Sequence, residues 1–366
     1  MRIVSMFMIV VFHFIVHGHI LKNTSGFLHI TMNIIMLITV VHVNSFVMVT
    51  GYFQSKSTFK MSKFISLNNT GWFWCSVVTI VLTTLGLANL SKVDFILNLM
   101  PILHGPYWYL TIYLALYIIS PMLNKVIDNI NEKQFKKILL VLFLVFSFLP
   151  TITGQKSFYN TQGFSLTNFI FLYFIGAYLR QYPIKESYWF KKISKNLSSV
   201  IFIFGFLACV FINVLLLVFS KHITGTGEFA TYIGRLISSS TVAYDNPLII
   251  FQTIFFFLWF GNLEIKSKVI NYIASLTLGI YLIHDHDLVR GILYSKYFGL
   301  QEGVGIESYS IVWKMLLYSI IIFIICLILE LIRKLLFQFI YNWKISGKIR
   351  AKGRNYTKVL EIDINQ

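Results

Sequence analysis

The sequence predicts an all-α polytopic membrane protein of about ten transmembrane helices with both termini cytoplasmic. Three observations carry that prediction. Of the 366 residues, 57% are hydrophobic and only 12% charged, with a mean hydropathy of +0.72; an ordinary soluble domain carries roughly 25% charged residues. Apolar stretches recur along the whole chain, each near the ~20 residues that cross a hydrocarbon core of ~30 Å. The basic residues crowd into alternate connections, as expected where cytoplasmic loops hold an excess of Lys and Arg.

The spans fall at about 3–21, 29–53, 71–90, 106–123, 137–153, 164–181, 198–220, 246–262, 270–290 and 310–335. The first has one arginine before it and no small-residue cleavage site after it, so it is a span rather than a secretory signal. The runs are too long and too evenly apolar for tilted barrel strands, which leaves helices. Residues 93–104 are too short to cross alone and suit a re-entrant or interfacial piece.

Charge tests this layout. With the N-terminus inside, the inner connections and the tail hold 23 of the 31 basic residues, among them Arg2, Lys56, Lys60, Lys63 and a run from Arg333 to Lys358. The outer ones hold 8: Lys22, Lys92, Lys156, Lys221, Arg235, Arg290, Lys296 and Lys314. One mistaken span would mix the two sets in every later loop. The chain therefore divides into an integral membrane domain, 1–340, and a basic cytoplasmic tail, 341–366.

The net charge of +17 is explained by those loops. It forms no aromatic-and-basic patch of the kind that grips nucleic acid, so no nucleic-acid partner is expected. Cys75, Cys209 and Cys326 lie inside apolar stretches, odd in number and far apart, and read as packing residues. No phosphate-binding glycine loop, nucleophile elbow or dinucleotide fingerprint is present. These absences weigh against ATPase, serine hydrolase and oxidoreductase chemistry.

The first span carries the sharpest chemical signal. Arg2 and His13 are eleven positions apart, a turn of about 1100°, so they share a helix face. They stand about 16 Å apart along the axis. Arg2 would lie at a membrane face and His13 near mid-depth, where an ionisable group marks a functional site. Histidine suits a general base because its ordinary pKa of about 6.5 lies near operating pH. A histidine bonded to a neighbouring helix, with Arg2 as a topology anchor, is the plainer alternative. Two arrays look like metal ligands: His13 with His17 and His19, and His284-Asp285-His286-Asp287. On a helix, alternate positions point apart, and no His-Glu-x-x-His pattern is present. No metal is expected.

At this point the chain resembles the membrane-bound acyltransferase 3 family. Arg-x10-His in the first span matches the family signature. Residues 43–53 (VNSFVMVTGYF) resemble its second-span motif, 105–124 (GPYWYLTIYLALYIISPMLN) its Trp-Tyr/Phe-Leu span ending at a proline, and 278–284 (LGIYLIH) its late Gly-Ile-Tyr-Leu-Ile-His motif. The resemblance implies a polysaccharide O-acetyltransferase in the cell membrane. Acetyl-CoA or another acyl-CoA would be the donor substrate, with no permanently bound cofactor. The acceptor would be a hydroxyl of a surface polysaccharide or its lipid-linked precursor, as in capsule or exopolysaccharide pathways. By the same resemblance, His13 is the catalytic histidine and Arg2 its partner. Asn44, Gly51 and Tyr52 fall at a substrate-binding turn, although Asn44 could equally bridge helices and Gly51 serve helix packing. Trp108 and Tyr109 would stack on a sugar or line an acyl path, unless they form an aromatic belt. His104 lies beside them near the outer face. His284 would bind acceptor or move a proton. Lys56, Lys60 and Lys63 follow the second span where the family carries arginines, and would hold the donor's phosphates without the bidentate fork of arginine. The competing class is an exporter of saccharide or lipid-linked oligosaccharide with no acyl-transfer chemistry; a polymerase would need larger outer loops.

Overall fold

The computed structural model describes residues 1–101, 107–154, 161–188, 190–300, 303 and 305–349; side chains are described as far as residue 340, Ser295 and Lys296 excepted. Among these there is no strand, only one isolated bridge between Thr24 and Ile306. The chain forms α1 (Arg2–His17), α2 (Gly26–Thr39), α3 (His42–Gln54), α4 (Met61–Thr84), α5 (Trp108–Asp128) and α6 (Glu132–Phe143). There follow α7 (Leu166–Gln181), α8 (Lys195–Ile223), α9 (Glu228–Ser240), α10 (Pro247–Asn262), α11 (Lys268–Ala274), α12 (Thr277–His284) and α13 (Ser310–Ile349).

Local chemistry sets many of the ends. Ser165, Ser194 and Asn246 accept backbone N–H bonds at the starts of α7, α8 and α10, satisfying donors that a helix start leaves free. Asn131 and Gln134 form a reciprocal capping box on α6. That helix runs on through a π turn (Leu144–Phe148) to Thr153 and stops at Gly154, which takes the left-handed conformation.

Among the described residues, six segments are long and apolar enough to cross a membrane: Gly26–Gln54, Met61–Thr84, Trp108–Asp128, Glu132–Thr153, Lys195–Ile223 and Ser310–Ile340. Arg2–His17 and Pro247–Asn262 are shorter apolar helices. Each expected span meets a helical segment, although the one expected at 270–290 is broken into α11, α12 and a final turn, Asp287–Arg290. Residues 93–104 contain a short helix, Lys92–Asn98, capped by Ser91. His104 and the tail beyond residue 349 lie outside the described residues.

The Gly26–Gln54 segment is the centre of the bundle: it is 78% buried, against 17–39% for the other five. Its α3 half packs closely on α7. A Cβ on Gly51 would overlap the Tyr173 carbonyl, and one on Gly176 the Met48 carbonyl. Two glycines facing each other's backbones permit this near-contact crossing, the small-residue packing that membrane helices favour. Gly279 on α12 does the same for a side chain: the Glu330 carboxyl of α13 occupies the space of its missing Cβ. Glu330 accepts from Trp74 Nε1 (2.6 Å) and takes both Nε (2.7 Å) and Nη2 (2.6 Å) of Arg333. This buried, fully paired carboxylate ties α4, α12 and α13 together.

Candidate active site

Three helix ends converge on His13. It lies in the last turns of α1, packed against the start of α3 and the end of α12. Its Nδ1 is 3.1 Å from His284 Nε2 and 3.2 Å from Asp285 Oδ1. The ring centroids of His17, His284 and His42 lie 5.0, 5.2 and 6.4 Å from that of His13. Asp285 Oδ1 also lies 3.4 Å from His17 Nε2 and 3.6 Å from Arg290 Nε. Arg290 pairs in turn with Asp287.

Hydrogen-bond logic fixes the tautomers. His284 Nδ1 is 2.6 Å from the Ile280 carbonyl. A carbonyl only accepts, so Nδ1 carries the proton and, in the neutral ring, Nε2 of His284 is an acceptor. His13 Nδ1 must then donate to it. The remaining nitrogen of His13, Nε2, is left as a bare acceptor. His42 repeats the pattern: its Nδ1 donates to the Val40 carbonyl at 3.1 Å, and its buried Nε2 has no partner among the described residues. The Asp285 carboxylate is held by proximity to two imidazoles and a guanidinium, since Oδ1 receives no aligned hydrogen bond among the described residues.

The 284–287 run is not one helix. α12 ends at His284, and His286 is extended, with its Nδ1 accepting the Leu288 N–H at 3.2 Å. That break lets His284 and Asp285 both reach His13. One ligand atom from each of His13, His17 and Asp285 lies within 4.8 Å of the others, a set of the right type for a cation. Arg290 already places its positive charge beside the same carboxylate oxygen, which opposes a second cation there.

The other expected site residues are split between two levels. Because His42 at the start of α3 lies beside His13 near the end of α1, the two helices run antiparallel. Gln54, and the lysines after it, therefore sit at the Arg2 end. Arg2 itself is exposed and stands away from the histidines. Lys56 Nζ pairs with Asp128 at 3.0 Å. Lys63 donates to Gln54 Oε1 at 3.3 Å and lies over the Tyr117 ring, while the Lys60 N–H donates to the Tyr117 hydroxyl at 3.0 Å. Tyr52 belongs to this level too, accepting from Arg180 at 3.3 Å with the guanidinium over its ring.

At the His13 level, Asn44 is fully buried and donates to the Tyr244 carbonyl at 2.7 Å. Trp108 stacks on Tyr244, whose ring lies 5.7 Å from His42. Tyr109 packs against Tyr281, which contacts His284. Gly51 lies between the two levels, in the α3–α7 crossing. Sequence reasoning passed over Asp285, His17 and His42 as members of one site. Their signal was a carboxylate and two further histidines at membrane depth, separated by more than 200 residues of chain.

The site sets a partly buried, tautomer-ordered histidine beside a buried carboxylate, the pair of groups that general acid–base chemistry uses. The family model described as an acyltransferase domain matches residues 1–331, and the chain belongs to this acyltransferase 3 family. It is thus a membrane acyltransferase. No curated relative and no solved structure matches the chain.

Proposed function

We propose that the protein O-acylates a saccharide at the cell membrane, moving an acetyl or other short acyl group from cytoplasmic acyl-CoA to a hydroxyl of a surface polysaccharide or its lipid-linked precursor. The observation that carries this reading is the free Nε2 of His13, made the only acceptor on that ring by the His284–Ile280 chain. His13 Nε2 removes the acceptor's proton as the hydroxyl oxygen attacks the thioester carbonyl. The positive charge that develops on its ring faces the Asp285 carboxylate, which supplies the electrostatic part of a His-Asp pair. On collapse of the tetrahedral intermediate the C–S bond breaks and the thiolate takes a proton from His13, so the ester and free CoA leave with atoms balanced.

The developing oxyanion needs donors. Asn44 is held by one N–H on the Tyr244 carbonyl, and Tyr52 lies at the far level. The Tyr294 hydroxyl suits the role better: it is buried, unpartnered among the described residues, and its ring is 5.8 Å from His17. The Arg2 and lysine end supports donor binding, because three lysines there can face phosphates. The pantetheine arm of CoA would then run along α1 toward His13. The 23-to-8 charge split favours that end as cytoplasmic, with ten spans and both termini inside.

Polysaccharide NMR on cells carrying wild type, a deletion or His13→Ala tests the reading. Loss of one O-acyl signal in both mutants, with polymer still exported, is the expected outcome. Unchanged acylation with loss of surface polymer would replace it with export.

A further inference from the structure

Two cavities meet at Lys221. One, about 460 Å³, lies between the end of α8 and α9 and is lined by Lys221, Arg235 and Ser238 among others. The other, about 560 Å³, is an apolar groove between α2 and α8, walled by Phe27, Ile30, Val214, Leu217 and Val218. Lys221 belongs to both. The groove's mouth includes Thr24, seven residues beyond His17 in sequence, so it opens at the His13 end of the bundle.

The charges here are unusual for their place. Lys221 and Arg235 belong to the 8 basic residues that run against the positive-inside trend. Among the described residues neither has a carboxylate within ion-pair distance, and Ser238 has no hydrogen-bond partner. The neighbouring hydroxyls of Ser220, Thr224 and Ser239 donate to carbonyls of their own helices. The polar cavity thus offers two unpaired cations with one free hydroxyl. The groove beside it is mostly hydrocarbon, its His29 and Asn33 side chains already bonded to backbone carbonyls, with Phe27 82% exposed at its edge.

We infer that the two cavities form one site for a lipid diphosphate. The arginine fork takes one phosphate and the lysine the other, while the hydrocarbon tail fills the α2–α8 groove. Two cations match the charge of two linked phosphates better than the single charge of a phosphodiester headgroup. The inference deepens the acyl-acceptor reading and rests on it for the saccharide that such a diphosphate would carry past His13.

The test uses the full chain in phosphatidylcholine nanodiscs, with farnesyl diphosphate as probe and inorganic pyrophosphate and phosphatidylglycerol as comparators. Farnesyl diphosphate should bind at least tenfold tighter than either. The Lys221→Ala/Arg235→Ala double variant should lose at least tenfold, and Lys221→Arg/Arg235→Lys should retain binding, which shows that the fold survives changes there. Equal binding of phosphatidylglycerol, equal binding of pyrophosphate, or indifference to the double variant would each overturn the site. His13→Ala separates the two readings: it should bind farnesyl diphosphate normally while losing acyl transfer. Unimpaired transfer in His13→Ala would sink the acyltransferase mechanism and leave the lipid site standing.

Discussion

The two ends of the antiparallel α1–α3 pair place similar numbers of basic groups in opposite surroundings. At one end His13, His17, His42 and His284 are packed together with Asp285, and the tautomers of His13, His42 and His284 are set by neighbours. At the other, Arg2 is exposed, and the Lys56–Asp128 pair leaves its partners 45% and 55% exposed. In a buried site the effective dielectric is low and each orientation matters. At the wet end, water and salt screen the charges. On the function proposed above, the contrast separates two tasks: a proton-transferring group needs fixed geometry, and a phosphate-binding group needs charge within reach.

The comparison breaks most sharply at His13. His13→Ala should lower acyl transfer by about 10²–10⁴, the contribution of a positioned general base, in an assay of membranes with matched protein levels. Asp285→Asn should cost less, about tenfold to hundredfold in kcat with KM nearly unchanged, because the hydroxyl can still be deprotonated but the imidazolium loses its facing charge. An Asp285→Asn enzyme with wild-type kcat would remove the carboxylate from the site.

How much of this was legible in sequence follows the same division. Arg-x10-His is a local pattern, so helical periodicity alone put both residues on one face of α1. The same helix geometry put about 16 Å between them, Arg2 at a membrane face and His13 near mid-depth, whereas the pairing of the two in one catalytic unit came from the family resemblance. Hydropathy marked the helices because spanning segments must satisfy their own backbone. Asp285 was hidden by a helix rule: read as continuous helix, alternate positions diverge, yet α12 ends at His284 and the break turns Asp285 onto His13. His42 was hidden by distance, since only tertiary packing brings α3 to α1. Gly51 was visible as a glycine, while its opposite number, Gly176, lies 125 residues on and no local signal joins them.

That glycine pair sharpens the comparison from the middle of the molecule, since α3 carries His42 at one end and leads into the lysines at the other. Gly176→Ala adds a Cβ that overlaps the Met48 carbonyl. Backbone cannot swing aside as a flexible side chain can, so α3 and α7 must separate. The expected cost is about 1–3 kcal/mol of stability, read as a lower melting temperature in detergent, with kcat of the surviving folded enzyme changed less than by Asp285→Asn. A Gly176→Ala protein as stable as wild type would mean that the crossing is loose.

The smallest effects belong to the lysines, and their ranking is itself informative. Lys60→Ala/Lys63→Ala should raise KM for acyl-CoA severalfold with kcat unchanged, because charge at an exposed surface contributes binding common to ground and transition states. The effect should fade as salt is raised. Lys56→Ala should do less still: its ammonium is already committed to Asp128, and an exposed pair of this kind is worth about 0–1 kcal/mol. Asp128→Ala then becomes the discriminating partner, since releasing Lys56 should lower KM if the donor's phosphates pass nearby. A KM indifferent to all four substitutions would return these lysines to the ordinary role of charged residues flanking a span, and the donor's phosphates would have to be sought on other cations at this end, with Arg180 beside Tyr52 the first of them.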